Sequence, residues 1–269
     1  MAESVKQLDI ALTTTSGEVN VQVTVPTALI RVTDIVPVMR SMGEQAQAVE
    51  ISSVLRTGKE ISCKKGCSAC CERILVPVSP PEAFALGKMM LALPIVHRQR
   101  IEERLVTTRE RLDKVGVLSA LQDLAESPTQ RSDEDIDPIN RAYYALRLPC
   151  IFLEDGACSI YEHRPAACRE YLVTSPPELC QDTEKNPVEE LSNPLRAGTV
   201  LSILWAKLMG GPVRLIPLPV VFEWVERHRS LLERTWNGLD LFDQALEGLG
   251  KFLKQSLKST SGKNPKDPV

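Results

Sequence analysis

Seven of the eight cysteines stand in two tight groups. Cys63, Cys67, Cys70 and Cys71 form the first; Cys150, Cys158 and Cys168 form the second; Cys180 follows, and no cysteine precedes residue 63 or follows residue 180. Thiolates are soft ligands that hold zinc, copper(I) or iron–sulfur clusters. Cys63-x3-Cys67-x2-Cys70 is a chelating spacing, because a short loop can fold back and aim successive thiolates at one centre, and Gly66 supplies the backbone freedom of such a knuckle. Cys71 differs: adjacent side chains diverge, so it could serve a second centre, bridge, or act as a redox thiol. The second group reads Cys150-x7-Cys158-x9-Cys168. Seven thiolates exceed the four of one zinc site. That surplus favours a polynuclear centre, two sites, or one site with additional reactive thiols, and spacing alone does not choose among them.

Charged and aromatic residues accompany the second group. Arg164 and Arg169 are candidates to hold an anionic substrate or cosubstrate bidentately; the plainer reading is that they offset cluster charge or pair with Glu162 and Glu170. Tyr161 and Tyr171 are expected to pack against the cluster. His163 is a candidate ligand or orienting donor whose plainer reading is a surface-turn residue. His228 reads as a core or interface histidine, and the three tryptophans as core of C-terminal helices.

The elements that must position these residues are partly readable. Leu8, Ile10 and Leu12 alternate, as do Val19, Val21, Val23 and Val25, with Thr13–Glu18 as the turn of a β-hairpin. Asp34 to Thr57 reads as a helix with Ile35, Val38, Met42, Ala46, Val49 and Ser53 on one face. Ile74, Val76 and Val78 alternate as a strand. Ser79-Pro-Pro-Glu82 is a capping box that opens a helix. Residues 95–126 read as one or two charged helices, with Ile101, Leu105, Leu112, Val115, Leu118 and Leu121 inside. A polar connector spans 127–135, and 139–148 reads as another helix. Glu154-Asp-Gly156 is a hairpin turn expected to bring Cys150 and Cys158 side by side. From residue 186 the pattern reads as purely helical up to a lysine- and proline-rich tail, 259–269, expected to be disordered.

Composition bounds the rest. The 269 residues are 43% hydrophobic and 25% charged, with a net charge of −3. The chain can bury a core without cysteine staples, and its charge gives no nucleic-acid footprint. No stretch reaches the ~20 apolar residues that span a bilayer, and the first residues carry no signal-peptide pattern. The expectation is a cytoplasmic chain with reduced thiols, without nucleic-acid or membrane partners; were it secreted, eight cysteines could form four disulfides.

Cys63-x3-Cys67-x2-Cys70-Cys71 followed by Ile74-Leu-Val-Pro-Val-Ser-Pro-Pro-Glu-Ala83 resembles the first half of the YkgJ-type cysteine-cluster family, a zinc- or iron-chelating domain. Leu148-Pro-Cys150-Ile-Phe-Leu153, Gly156-Ala-Cys158-Ser-Ile-Tyr-Glu162 and Arg164-Pro-x-x-Cys168-Arg169-x-Tyr171 resemble the same family's later motif. Ile151 stands where proline is more usual. The resemblance covers roughly residues 60–175 and implies chelation by Cys63, Cys67, Cys70, Cys71, Cys150, Cys158 and Cys168, leaving Cys180 unassigned. The motif is also similar to that of flagellin lysine N-methylases, which implies methyl transfer from S-adenosylmethionine as an activity to weigh, although no glycine-rich strand–turn–helix loop stands in the chain. The first three cysteines, Cys63-x3-Cys67-x2-Cys70, also match the spacing of a radical-SAM loop, but the strand–helix alternation of a barrel is missing and the vicinal Cys71 is foreign to it.

The sequence thus predicts an α-rich α+β chain: a hairpin and helix over 1–58, a cysteine-cluster domain over 59–182, a helical region over 183–258 and the tail. Three functions follow. The first is a protein holding zinc or an iron–sulfur cluster. The second is a cluster-dependent methyltransferase-like or redox enzyme, which calls for a deep pocket beside Arg164 or Arg169. The third is a metal-stapled interaction module, which calls for exposed apolar surface on 196–256; its protein partner is unspecified.

Overall fold

The computed structural model describes residues 4–14, 17–193 and 195–261. Its strands pair only in twos. β1 (Val5–Thr14) and β2 (Gly17–Pro26) form an antiparallel hairpin in which Leu8, Ile10 and Leu12 face Val23, Val21 and Val19. Two of the residues expected in its turn, 15 and 16, lie outside the described residues. Alternation does its usual work here: Val19, Val21, Val23 and Val25 are buried on one face while their neighbours are exposed.

That face covers α1 (Val36–Arg56), which carries Pro37 in its first turn, where the missing N–H costs nothing. α1 buries Val38, Met39, Met42 and Ala46 but leaves Val49 exposed. The expected stripe therefore fades after three turns, where the hairpin no longer covers the helix. Ser79 and Glu82 form the anticipated capping box at the start of α2 (Pro80–Ala92). α3 (Ile95–Asp113) and α4 (Val117–Glu126) follow, and Val115, expected inside, is exposed in the turn between them. α5 runs Asp133–Ala145, starting within the expected connector because Ser132 caps it and Asp135 returns a bond to the Ser132 N–H.

The C-terminal third is not purely helical. α7 (Ala197–Met209), α8 (Val221–Arg227) and α9 (Gly238–Ser261) are separated by two short strands, β7 (Ile216–Pro217) and β8 (Thr235–Asn237). β8 pairs with β3 (Leu29–Arg31), and β7 pairs with β4 (Pro77–Val78). Trp236 thus sits on a strand, whereas Trp205 and Trp224 are buried in helices. Residues 259–261 of the expected disordered tail continue α9, and 262–269 lie outside the described residues.

Two hydrophobic cores result. One gathers β2, α1, α7 and α9 around Met39, Met42, Leu201, Leu204 and Phe242. The other centres on Phe84 of α2, whose ring lies 5.5 Å from Trp205 and 5.2 Å from Trp224, and extends through Leu112, Leu121, Tyr143, Leu148, Phe152 and Ile160. A fully buried aromatic of this kind contributes about 3 kcal/mol or more. α7 serves both cores, with Val200, Leu201 and Leu204 in one and Trp205 in the other. The mainly helical α+β class is the one the sequence predicts.

Candidate metal centre

The first cysteine group lies on a loop that crosses from α1 toward β4. Two tight turns shape it, closed by Cys67 N donating to Lys64 O at 2.9 Å and Cys71 N donating to Ser68 O at 2.8 Å. Gly66 adopts φ 95°, a left-handed backbone in which any side chain would be strained. Cys70 and Cys71 fall in a single 3-10 turn, Ala69–Glu72. None of residues 59–72 is buried.

The second group is set by a small hairpin. β5 (Leu153–Glu154) and β6 (Ala157–Cys158) meet at Asp155 and Gly156, whose φ values of 50° and 73° are those of a type I′ turn. Leu153, not Cys150, is the cross-strand neighbour of Cys158. Cys150 precedes the hairpin in a turn closed by Leu153 N donating to Cys150 O at 2.9 Å. It reaches the same cavity because Ile151 and Phe152 are locked in the core. α6 (Ala166–Glu170) is only five residues long and carries Cys168.

One backbone hydrogen bond joins the two groups: Cys150 N donates to Cys71 O at 2.7 Å. All seven cysteines then line a single cavity of about 90 Å³, together with Tyr161, Arg164, Tyr171 and the apolar side chains of Ile74, Val76, Phe152, Ile160 and Leu218. Cys63 Sγ additionally accepts from Val173 N at 3.4 Å. All eight cysteines are free thiols, so the four-disulfide alternative has no counterpart in the fold. Among the described residues, no group of three or more His, Cys, Asp or Glu side chains is arranged to hold one metal ion. The thiols share a cavity without converging on one point.

Electrostatics explains why a cation is needed for that gathering. Burial pushes the Cys150 thiol up to about 12 and raises Cys168 well above the ordinary thiol range, with neighbouring cysteines adding repulsion. The bond to Cys71, then burial, raises Cys70; burial also raises Cys63 and Cys158. Each thiolate formed here disfavours the next, so a cluster of thiolates forms only as a metal displaces the protons. Arg164 opposes this in part. Its guanidinium stacks 3.7 Å over the Tyr161 ring, its Nε donates to Tyr161 O at 3.1 Å, and its charge favours the thiolates of Cys63, Cys70, Cys158 and Cys168.

Arg169 is placed elsewhere. Its Nη1 donates to Glu44 Oε1 at 2.7 Å, its Nε donates to Arg164 O at 3.1 Å and its Nη2 donates to Glu162 O, so it staples α6 to α1 and does not line the cysteine cavity. Neither arginine forms an ion pair with Glu162 or Glu170. His163 is exposed and outside the cavity lining. His228 stacks on Trp224 at 4.2 Å, with Nδ1 2.8 Å from Trp224 O.

Three residues position the site without announcing themselves in sequence. Glu82, 1% exposed, accepts from Ser79 Oγ at 2.7 Å and also from Ala166 N at 2.7 Å. It thereby satisfies an otherwise orphaned amide at the start of the helix that carries Cys168. Arg73 stacks on Tyr144 at 3.8 Å and pairs with Asp182 at 2.8 Å, pinning the first cysteine turn to the 3-10 helix Pro177–Asp182. Cys180 is buried on that helix and does not line the cavity. The capping box signalled only half of Glu82's role; the pairing of residues 73 and 182 had no local signal.

Residues 62–191 match the model of the CxxCxxCC family, described as a "Putative zinc- or iron-chelating domain". The match reaches beyond the motif-bearing stretch and takes in Cys180. No curated protein and no solved structure matches the chain. Seven cysteines on one cavity, carried by the segment that the family model spans, make residues 62–191 a member of the CxxCxxCC family of zinc- or iron-chelating domains.

Proposed function

We propose that Cys63, Cys67, Cys70, Cys71, Cys150, Cys158 and Cys168 hold a polynuclear metal centre, an iron–sulfur cluster in preference to a single zinc ion. One observation carries this reading: all seven thiols line one cavity and not two. A closed zinc site uses four ligands and would leave three thiols idle in the same space. Arg164 offsets part of the negative charge that seven thiolates would accumulate. When bound, an iron–sulfur centre supplies one-electron transfer.

At about 90 Å³ the cavity is well below the 300–1,000 Å³ typical of small-molecule sites, which favours a metal centre over an S-adenosylmethionine-sized cosubstrate at the cysteines. An interaction module would expose apolar surface on 196–256. The large apolar side chains most exposed among the described residues are Val5, Leu29, Val49, Leu55, Leu91, Ile95, Val96, Val106 and Val115, all outside that stretch.

The test is iron, zinc and acid-labile sulfide analysis, with a visible absorption spectrum, on anaerobically purified protein. Brown protein containing iron and sulfide is expected. Colourless protein with zinc and no sulfide would overturn the iron–sulfur assignment.

A further inference from the structure

The β4–β7 ribbon separates the cysteine cavity from a second, larger one. The segments that flank its two-residue strands contribute side chains to both. Ile74, Val76 and Leu218 face the cysteines, whereas Leu75, Val213 and Leu215 line a cavity of about 430 Å³ on the other side; Pro77 borders both. Leu124 of α4, Ile136 of α5 and Thr199 of α7 complete its walls. The volume falls within the range of small-ligand sites, and the lining combines seven apolar residues with eight polar or charged ones.

The polar edge gives the ligand's chemistry. Arg131 lines the cavity, with its Nε donating to Ser127 Oγ at 3.1 Å, a bond that sets the direction of the guanidinium. Asp123 and Asp135 line an adjoining cavity with it, and among the described residues no acidic side chain stands within 4 Å of its guanidinium as an ion pair. The other arginine at the edge, Arg214, is spent on the structure: its terminal nitrogens donate to Ala125 O at 2.8 Å and Ser127 O at 3.0 Å. Asp133, the one carboxylate of the lining, stands in the first turn of α5, where the helix end favours negative charge. Asn140 and Thr129 add neutral polar groups.

We infer that this cavity binds a monocarboxylate with an apolar body, the body on Leu75, Leu124 and Leu215 and the carboxylate on Arg131. The cavity is independent of the metal assignment, since none of its lining residues is a cysteine.

The test is calorimetric titration of the full chain, metal-loaded and metal-free, with decanoate, decylamine and decanol. Decanoate is expected to bind at least about tenfold more tightly than either analogue, because a charge-assisted bidentate contact contributes more than about 1.4 kcal/mol. Arg131 is exposed, so Arg131→Gln should fold and should remove that preference while leaving decanol binding unchanged. Leu215→Gln should weaken all three ligands. Absence of decanoate binding in both metal states, or a decanoate preference untouched by Arg131→Gln, would overturn the inference. Metal analysis of the same samples reports separately on the cysteine centre.

Discussion

The two cysteine-bearing arms reach one cavity by different physical routes. The arm at 148–168 is anchored before any metal arrives: Leu148, Ile151, Phe152 and Ile160 are all at most 3% exposed in the core around Phe84. The arm at 59–72 has no buried residue and relies on turns and polar contacts: the bond from Cys150 N, bonds of Ser62 and Cys63 with Val173, the pairs Lys59–Glu189 and Lys65–Glu162, and the neighbouring Arg73. Three of the seven candidate ligands are therefore preformed by apolar burial and four are held mainly by polar contacts. The difference teaches where metal binding couples to folding: the free energy of binding should be spent on ordering the first arm.

The largest expected effect is on the anchored arm. Phe152→Ala should destabilise the protein by about 3–5 kcal/mol in denaturant titrations, equally with and without metal, because its cost is a core cavity. A loss confined to the metal-loaded protein would contradict the comparison. Glu82→Gln comes next, at about 1–3 kcal/mol, since its new amide must place a donor against Ser79 or Ala166; the same titrations measure it. Amides of 150–168 should exchange faster in this variant, as α6 loosens.

Chelation sharpens the contrast between the arms. Removing the metal should raise hydrogen exchange at 63–72 by about tenfold or more, a loss of about 1.4 kcal/mol of local stability, with a smaller change at 150–160. Equal loss in both arms would mean that the second arm is not preformed. The smallest effect belongs to the exposed pair of Lys65 and Glu162, 3.4 Å apart, which links the arms across the surface. Lys65→Ala should change stability by less than about 1 kcal/mol, and less still at high salt.

Local chemistry reveals itself in the sequence where neighbours decide the outcome. The valines of β2, the Ser79–Glu82 cap and the Asp155-Gly156 turn each follow from residues within a few positions, and the structure places them accordingly. Of the paired strands Leu29–Arg31 with Thr235–Asn237, and Pro77–Val78 with Ile216–Pro217, only Pro77–Val78 falls in an alternating stretch, Ile74 to Val78; the others are two or three residues long, too short for a periodic signal, and the partners stand some 140 or more positions apart. The cysteines were readable as a set because clustering is a property of sequence. That seven of them face one cavity, and that Arg164 reaches it while Arg169 turns to Glu44, are properties of long-range packing. Val49 and Val115 show the same limit from the other side, since apolar periodicity continues past the end of the surface that would cover it.

The central claim is that seven thiols serve one centre, and thiol accessibility tests it directly. Anaerobically prepared, metal-loaded protein would be treated with iodoacetamide and its cysteines scored by peptide mass spectrometry, before and after chelation. Protection of Cys63, Cys67, Cys70, Cys71, Cys150, Cys158 and Cys168 together, lost together on chelation, is the expected result. Protection of only four of them, with the others alkylated at the same rate in both states, would contradict a shared centre and leave a single four-thiolate ion.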